Sequence, residues 1–420
     1  YFFYNGGHLA AAATNADFIL TGETTGNYFA TALVSGDWNA DGKTDLAVGA
    51  YGYSSNTGRT YLFYNDGSIP ITAATADVII TGETTNNYFG SAITSGDFNA
   101  DGKTDLAVGA YQYSTQTGRA YIFYNGSIIT ENASGADIFI TGQTTTNYLG
   151  YAMTSGDFNA DGKTDLAVGA YGYSTNTGRA YIFYNGSIIT ENASGADVII
   201  TGETTNHYFG VSVTSGDFNA DGKTDLVVGA YFYASATGRA YVFYNDGSIP
   251  TTAATADIII TGESGSWFGH TLASGDFNAD GKTDLVVGSR GYSSSTGRVY
   301  LFYNDGSIPT TAATADVIIT GETTNNCFGQ SLASGDFNAD GKTDLAVGAY
   351  GYGSNRGRVY MYTFNDGVIT GQATSNLFGS AFASGDFNTD GKTDLAVGAY
   401  GYSSATGRAY VFYNDGSIPT

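Results

Sequence analysis

An 11-residue stretch occurs seven times in this chain of 420 residues, and no other feature limits the fold as much. The copies begin at Gly36, Gly96, Gly156, Gly216, Gly275, Gly335 and Gly385, at steps of 60, 60, 60, 59, 60 and 50 residues. The third copy reads Gly-Asp-Phe-Asn-Ala-Asp-Gly-Lys-Thr-Asp-Leu, and the only changes among the copies are Trp38 for Phe and Thr389 for Ala. A regular period of this length predicts a repeat architecture.

The repeated stretch has the pattern of a calcium-binding loop. In the third copy, oxygen-bearing side chains occupy loop positions 1, 3, 5 and 9, which are Asp157, Asn159, Asp161 and Asp165. The backbone carbonyl of Lys163 at position 7 can join them, and the Gly at position 6 permits a sharp turn. The loop departs from an EF-hand because it has Asp at position 9, lacks Glu at position 12 and precedes a strand-like run. We therefore expect a calcium loop inside a β-hairpin.

All seven copies supply the same candidate ligands, so we expect about seven Ca²⁺ ions. The alternative is a turn rich in Asp and Asn that binds no ion. Three carboxylates in one turn repel each other unless a cation lies among them, which favours the metal. Mg²⁺ is disfavoured because it retains water and needs octahedral geometry. The candidate ligands are Asp37, Asn39, Asp41, Lys43, Asp45, Asp97, Asn99, Asp101, Lys103, Asp105, Asp157, Asn159, Asp161, Lys163, Asp165, Asp217, Asn219, Asp221, Lys223, Asp225, Asp276, Asn278, Asp280, Lys282, Asp284, Asp336, Asn338, Asp340, Lys342, Asp344, Asp386, Asn388, Asp390, Lys392 and Asp394.

The net charge of −23 is largely explained by these loops, which hold three acidic residues each and so 21 of the 39 in the chain. All lysines lie at loop position 7, so no basic patch remains to bind nucleic acid or an anionic membrane. No apolar run is long enough to span a membrane. The single Cys327 excludes an internal disulfide.

Each repeat contains four strand signals, which in the second repeat are residues 88–95, 104–111, 118–125 and 136–142. Turn residues separate them, and the last three are apolar on both faces, so each sheet must be covered on both sides. The pattern predicts an all-β, seven-bladed β-propeller of four-stranded antiparallel blades. The runner-up is an open stack of sheets, which needs polar caps that neither end provides.

We expect one propeller over residues 1–420, with closing strands in 1–24 and blades at about 25–84, 85–144, 145–204, 205–263, 264–322, 323–372 and 373–420. The N-terminal fourth strand, residues 16–20, would complete the C-terminal blade and close the ring. An eighth copy of the third strand, residues 1–5, is then surplus. It is either a frayed end of an excised array or a strand that pairs with a neighbouring molecule.

The residues flanking the loop carry a family resemblance. Phe89-Gly90 before it and Gly109-Ala110-Tyr111 after it resemble the FG-GAP repeat of the integrin α-subunit head. The resemblance covers nearly the whole chain and implies a seven-bladed propeller with calcium loops in several blades. In this chain every blade carries the loop.

Two departures from the family pattern stand out. The family's Gly-Ala-Pro is Gly-Ala-Tyr in six copies and Gly-Ser-Arg in the copy that starts at Gly288. The Phe-Gly pair is Phe29-Ala30 in one copy and Leu149-Gly150 in another.

Two charged positions outside the loops also recur. We interpret them as an ion pair or loop hydrogen bond that fixes each blade, and a functional basic ring is the alternative. They are Arg59, Arg119, Arg179, Arg239, Arg298, Arg358 and Arg408 at the third strand, and Asp17, Asp77, Asp137, Asp197, Asp257 and Asp316 at the fourth.

The resemblance implies that loops such as 83–88 and 111–117 lie on the face opposite the calcium loops, which is the predicted site for a protein or glycan ligand. These loops combine tyrosines with small polar residues, as antibody paratopes do. Differences between copies concentrate there, at His207, Trp267, His270, Arg290, Cys327 and Arg356. We expect specificity at Trp267 and His270.

The sequence predicts no enzyme, since its three histidines are scattered and calcium loops explain the carboxylate clusters. Weak calcium modules work in extracellular fluid, so we expect an extracellular or cell-surface protein, and the start at Tyr1 suggests a mature or excised product. Sequons at Asn125, Asn132, Asn185 and Asn192 would be glycosylated only in a eukaryotic secretory route.

The leading hypothesis is a non-enzymatic, calcium-stabilised adhesion or surface-structure module. The alternatives are a carbohydrate-binding lectin, a propeller attached to an enzyme, and a subunit of an extracellular fibre built through the surplus terminal strand.

Overall fold

Seven small β-sheets form a ring in the computed structural model, which describes residues 11–12, 16–66, 70–362 and 367–414. In each blade the four main strands are antiparallel. In the first six blades they follow chain order from the inside to the outside, whereas the outer strand of blade 7 comes from the N-terminal part of the chain. The predicted seven-bladed propeller is confirmed.

The strand bounds repeat closely from blade to blade. Blade 1 consists of Ala32–Gly36, Asp45–Ala50, Arg59–Phe63 and Val78–Thr81; blade 2 of Ala92–Gly96, Asp105–Ala110, Arg119–Phe123 and Ile138–Thr141; blade 3 of Ala152–Gly156, Asp165–Ala170, Arg179–Phe183 and Val198–Thr201; blade 4 of Ser212–Gly216, Asp225–Ala230, Arg239–Phe243 and Ile258–Thr261; blade 5 of Thr271–Gly275, Asp284–Ser289, Arg298–Phe302 and Val317–Thr320; blade 6 of Ser331–Gly335, Asp344–Ala349, Arg358–Tyr362 and Gly367–Thr370; blade 7 of Phe378–Gly385, Asp394–Ala399, Arg408–Phe412 and Phe18–Thr21.

The helical segments are single turns that connect strands. Four-residue turns follow the second strand of every blade, and three-residue 3-10 turns precede the outer strand in five blades. They are Tyr53–Asn56, Tyr113–Gln116, Tyr173–Asn176, Tyr233–Ala236, Tyr292–Ser295, Tyr352–Asn355 and Tyr402–Ala405, with the 3-10 turns Ala73–Thr75, Ala133–Gly135, Ala193–Gly195, Ala253–Thr255 and Ala312–Thr314.

The hydrophobic core lies between the blades. The second strand is buried at every residue in all seven blades, because it is covered on both faces by neighbouring sheets. In the interface of blades 1 and 2, for example, Leu62 and Ile80 pack with Leu106 and Tyr121. This two-sided burial is the physical reason for the nearly continuous apolar runs in the sequence.

The inner strands pack against one another around the axis, and serine hydroxyls link them. The Oγ of Ser95 donates to the carbonyl of Ser35 at 3.0 Å, and Ser155 donates to Ser95 at 2.8 Å. The same bond recurs between blades 3 and 4, 4 and 5, and 5 and 6. Ser35 donates to the carbonyl of Ser384 at 2.7 Å, so this serine ring joins the first blade to the last.

The ring closes as the sequence predicts, because Phe18–Thr21 pairs with Arg408–Phe412 as the outer strand of blade 7. Two further residues, Ala11–Ala12, pair in parallel with the outer strand of blade 6, Gly367–Thr370. Residues 1–5, the proposed surplus strand, lie outside the described residues, as does most of the shortened connection in blade 6.

Candidate functional site

The seven acidic loops lie together on one face, where each connects the inner strand of a blade to its second strand. Neighbouring loops touch, since Gly156 at the end of one inner strand lies against the methyl group of Thr224 in the next blade. The same Gly–Thr contact closes the circle between Gly385 and Thr44. We call this surface the loop face.

Inside each loop the side-chain oxygens turn inward onto backbone N–H groups. In blade 3, Oδ1 of Asp157 accepts from the amide of Asp161 at 3.0 Å, and Oδ2 accepts from Gly162 at 2.8 Å. Oδ1 of Asp161 accepts from the amide of Lys163 at 3.0 Å. Ala160 at loop position 4 has φ of 58°, in the left-handed region that residues with a Cβ rarely adopt. The loop is therefore tightly wound around its own acidic side chains.

Position 9 differs from the other loop positions because its carboxylate is buried. Asp165 is fully buried, and it accepts from the amide of Phe158 at 2.8 Å and of Asn185 at 2.7 Å. Burial raises the pKa of Asp165 to about 6, and the neighbouring Asp161 and Asp157 carboxylates add to the rise, against the two amide hydrogen bonds that lower it. A cation in the loop would favour the charged form instead.

The donor set fits calcium in its chemistry. All candidate ligands are carboxylate, amide or carbonyl oxygens, which hard cations prefer, and each carboxylate oxygen that accepts one amide hydrogen bond keeps a second lone pair. Among the described residues, however, no three His, Cys, Asp or Glu side chains are grouped so that they could hold a metal ion. Coordination by these loops therefore stays a prediction.

The loops are also tied to the adjoining blade. The side-chain amide of Asn185, at the end of the third strand of blade 3, donates to the carbonyl of Asp97 in the loop of blade 2 at 2.8 Å. Asn125 donates in the same way to the carbonyl of Trp38 at 2.8 Å, and Asn65 closes the series by donating to Phe387 at 3.0 Å. Ordering one loop therefore orders the interface with the next blade.

These contacts bear on the four sequons. Glycosylation modifies the Nδ2 atom of Asn, and in all four residues this atom donates a hydrogen bond to a backbone carbonyl, for example from Asn132 to Gly82 at 3.0 Å. In the folded structure, the nitrogen to which a glycan would be attached is therefore already a hydrogen-bond donor.

The recurring arginines are structural, but their carboxylate partner is not the one that the sequence suggested. Nη1 of Arg119 pairs with Glu83, in the linker that enters the blade, at 2.8 Å, and Nε donates to Thr141 at 2.9 Å. Its guanidinium lies 3.8 Å from the ring centroid of Tyr113. The recurring outer-strand Asp instead accepts from a loop amide, as Asp137 does from Tyr124.

On the opposite face, aromatic side chains form a ring around the axis. Blades 1 to 4 each contribute one residue before the inner strand and one after the second strand, and blades 5 to 7 each contribute one of the two. Successive rings from Tyr28 to Trp267 have centroids 4.7 to 6.1 Å apart. Tyr400 returns to Tyr28 at 5.9 Å. The members of this aromatic ring are Tyr28, Tyr51, Tyr88, Tyr111, Tyr148, Tyr171, Tyr208, Tyr231, Trp267, Tyr350 and Tyr400.

These tyrosines are apparent in the sequence, but their contacts with one another are not. The signal was present, since Tyr occupies the first position in four of the seven repeats and the second position in six. The first position has positive φ in every blade, 53° at Tyr28 and 58° at Trp267, although large side chains disfavour that conformation. Backbone strain that is repeated in this way is a reason to look for function on this face.

Blades 5 to 7 interrupt the aromatic ring with Arg290, Cys327 and Leu377. Trp267 and His270, where we expected specificity, do come together here, with ring centroids 6.5 Å apart. His207 lies elsewhere, against Tyr233. Trp267, His270, Arg290, Cys327 and Leu377 therefore all belong to blades 5 to 7.

A separate polar groove of about 390 Å³ lies on blade 2. It is lined only by Thr, Asn, Gln and Ser: Thr84, Thr85, Asn86, Asn87, Gln112, Ser114, Thr115 and Gln116.

None of the helical segments among the described residues has the length and apolar character of a membrane span.

Comparison with known families gives seven matches to the FG-GAP repeat, one in each blade, which together cover more than half of the chain. They span residues 29–63, 89–123, 149–183, 209–243, 268–302, 328–362 and 378–412.

Several curated proteins are similar to this chain. Phosphatidylinositol-glycan-specific phospholipase D of Homo sapiens is 29% identical over 386 residues, which are 79% of this chain and 45% of that protein. The Bos taurus protein of the same name is 33% identical over 232 residues, 50% of this chain and 27% of that protein. Integrin alpha-PS5 of Drosophila melanogaster is 34% identical over 227 residues, 51% of this chain and 22% of that protein. The chain thus spans less than half the length of these relatives.

Proposed function

Because the chain belongs to the FG-GAP repeat family, we propose that it is an extracellular or cell-surface propeller that binds about seven calcium ions and acts as a non-enzymatic adhesion or surface-structure module. The observation that carries this proposal is the difference between the two faces. On the loop face, seven nearly identical acidic loops are joined to neighbouring blades by hydrogen bonds. The opposite face combines the aromatic ring with residues that depart from the repeat. Such a surface suits a protein ligand, because aromatic side chains give contact area at low entropic cost.

The residues that would hold each ion are those at loop positions 1, 3, 5, 7 and 9, as in Asp157, Asn159, Asp161, Lys163 through its carbonyl, and Asp165. A bound cation would neutralise the crowded carboxylates and favour the wound loop. Since Asn185 and Asn125 connect each loop to its neighbour, the ion would stabilise the blade interfaces and not only the turn.

A non-enzymatic role is supported by how the described side chains are used. The acidic residues of the loops accept backbone hydrogen bonds, and the recurring arginines bind Glu or Gln. The phospholipase D relatives are named as enzymes, and their match to this chain covers less than half of them. A propeller that is attached to an enzyme and binds a ligand for it is therefore a second interpretation of the same surface.

A lectin is the other candidate, and the polar groove of blade 2 favours it. Eight residues with hydroxyl or amide groups line this groove, and such groups recognise sugars through directional hydrogen bonds. Gln112 and Gln116 stand where other blades have Gly and Asn, for example Gly172 and Asn176.

The experiment that tests the proposal is a screen of the whole chain against an array of extracellular proteins and an array of glycans, each in about 1 mM calcium, a level that extracellular modules use, and in excess EDTA. The adhesion proposal expects calcium-dependent binding to a protein. Glycan binding that Gln116→Ala abolishes would establish the lectin instead. Binding that is equal in calcium and in EDTA would contradict the role of the ion.

A further inference from the structure

Arg290 replaces the tyrosine that six other blades have at this position of the aromatic ring. Its guanidinium carbon lies 4.8 Å from the ring centroid of Trp267. Its Nη1 donates to Oε1 of Gln330 at 2.8 Å and to the hydroxyl of Tyr350 at 3.3 Å. Both acceptors are neutral, so these bonds fix the side chain without cancelling its charge.

No described carboxylate lies within ion-pair distance of this guanidinium. The recurring third-strand arginines, in contrast, all bind a Glu or Gln from a linker. Burial raises the pKa of Tyr151, Tyr231 and Tyr400, and the nearby charge of Arg290 acts against this larger effect in all three. A single positive charge is therefore held among aromatic side chains of several blades.

Two buried nitrogens in the same place lack a hydrogen-bond partner among the described residues: Nε of Arg290 and Nδ1 of His270. A buried polar atom without a partner calls for an explanation, and a bound water or ion is one such explanation. The pKa of His270 lies well below its ordinary value because of burial and, less, because of Arg290, so the imidazole is neutral at pH 7. This side-chain cluster therefore offers two hydrogen-bonding nitrogens and one positive charge.

We propose that this cluster, formed by Arg290, His270, Trp267, Gln330 and Tyr350, binds the side-chain carboxylate of an acidic residue in a protein partner. Guanidinium groups bind carboxylates through charged, often paired hydrogen bonds, and surrounding aromatic side chains strengthen such bonds by excluding water. The inference names the ligand chemistry of the face described under the proposed function, and it rests on that proposal.

A protein carboxylate is favoured over an acidic sugar, because the groove rich in amides and hydroxyls, which would bind the hydroxyl groups of a sugar, lies on blade 2. The negative loop face does not forbid an acidic partner. The blades separate the two faces by roughly 17–20 Å, the length of a five- or six-residue strand, and charges are screened over about 8 Å in physiological salt.

The chain provides its own reporter for a test. It has two tryptophans, and Trp38 is buried between blades 1 and 2 at a position where the other blades have Phe. The variant Trp38→Phe therefore leaves Trp267 as the only tryptophan. Its fluorescence would be titrated, in calcium and at constant ionic strength, with N-acetylglutamate methylamide, with the neutral N-acetylglutamine methylamide, and with glucuronate.

We expect a saturable change with the glutamate probe, none with the glutamine probe, and at least about a tenfold loss of affinity when Arg290→Tyr removes the charged hydrogen bonds. Arg290→Tyr restores the residue of six other blades. The matched control is Arg356→Thr, which removes one exposed positive charge from the same face and also restores the residue of the other blades.

Three outcomes would overturn the inference: no saturable response to the glutamate probe, an equal response in the Arg290→Tyr variant, or tighter binding of glucuronate, which would make the ligand a sugar. Melting of the same samples with and without EDTA separates the two proposals. Calcium-dependent stability without glutamate binding contradicts only this inference, and loss of calcium dependence contradicts the proposed function.

Discussion

The loop face and the aromatic face are built from the same seven repeats, yet they tolerate change very differently. Across seven copies the acidic stretch has two substitutions, whereas three of the fourteen ring positions are no longer aromatic. On the loop face, Asp165 accepts from a backbone amide of its own blade, and Asn185 donates to a backbone carbonyl of the neighbouring blade. A different side chain at either position would leave that backbone group unpaired. On the aromatic face, the side chains of the ring mainly contact one another. Arg290 or Leu377 can therefore replace Tyr without leaving a backbone group without its hydrogen-bond partner.

Removal of calcium should produce the largest effect, because it acts on all seven loops. At about 1 mM calcium and a dissociation constant of about 0.1 mM, each site contributes roughly 1.4 kcal/mol and seven contribute about 10 kcal/mol. We expect a large, reversible fall of the melting temperature in EDTA, measured by calorimetry. An unchanged melting temperature would show that the loops are stable turns without an ion.

Loss of one loop should remove one seventh of that stabilisation. Asp161→Asn keeps the oxygen that accepts from Lys163 but removes a charge, so we expect a loss of roughly 1.4 kcal/mol in calcium and little change in EDTA. The measurement is denaturant unfolding under both conditions. The control is Asp197→Asn, which alters a carboxylate that caps the loop amide of Tyr184 outside the acidic stretch. Its effect should be the same with and without calcium.

The serine ring should contribute less for each residue. Ser155→Ala removes the hydroxyl that donates to the carbonyl of Ser95 and should destabilise the chain by about 1 kcal/mol, in calcium or EDTA alike. Unfolding in urea measures this, with Ser194→Ala at an exposed position as the control. A loss that appears only in calcium would mean that the axis and the loops act as one unit.

The smallest effect is expected at the linker pairs, since blades 3 and 7 already use Gln in place of Glu. Glu83→Gln should cost less than about 1 kcal/mol, because the pair with Arg119 is partly exposed and Gln can still accept its hydrogen bonds. Unfolding at low and high salt tests this. A loss above that range would mean that the charge, and not the hydrogen bond, fixes the linker.

Most of the fold could be predicted because the strand and turn patterns that indicate it are local and are repeated seven times. The second strand of blade 2 was expected at 104–111 and spans Asp105–Ala110, and the closing strand was expected at 16–20 and spans Phe18–Thr21. The first strand begins four residues later than predicted, at Ala92, because the residues before it enter the aromatic face with positive φ.

The contacts that were missed join residues that are far apart in sequence or in different blades. Arg119 binds Glu83, which lies 36 residues earlier in the preceding linker, and no local pattern connects the two. The aromatic ring depends on the curvature that brings Tyr111 to Tyr148, which only closure of the propeller determines. The calcium ligands remain a prediction from spacing and chemistry.

The closing sheet also determines how the molecule responds to pulling force. Phe18 pairs with Val411, so the first residue of the outer strand and the last residues of its partner strand lie at the same end of blade 7. Tension applied through residue 18 and residue 412 would therefore open this antiparallel pair one hydrogen bond at a time, like a zipper, and not load all of its bonds together in shear. Under tension from both of these points, blade 7 would separate first while the other six blades remain intact. A surface module that must bear load should consequently take it through the faces of the ring.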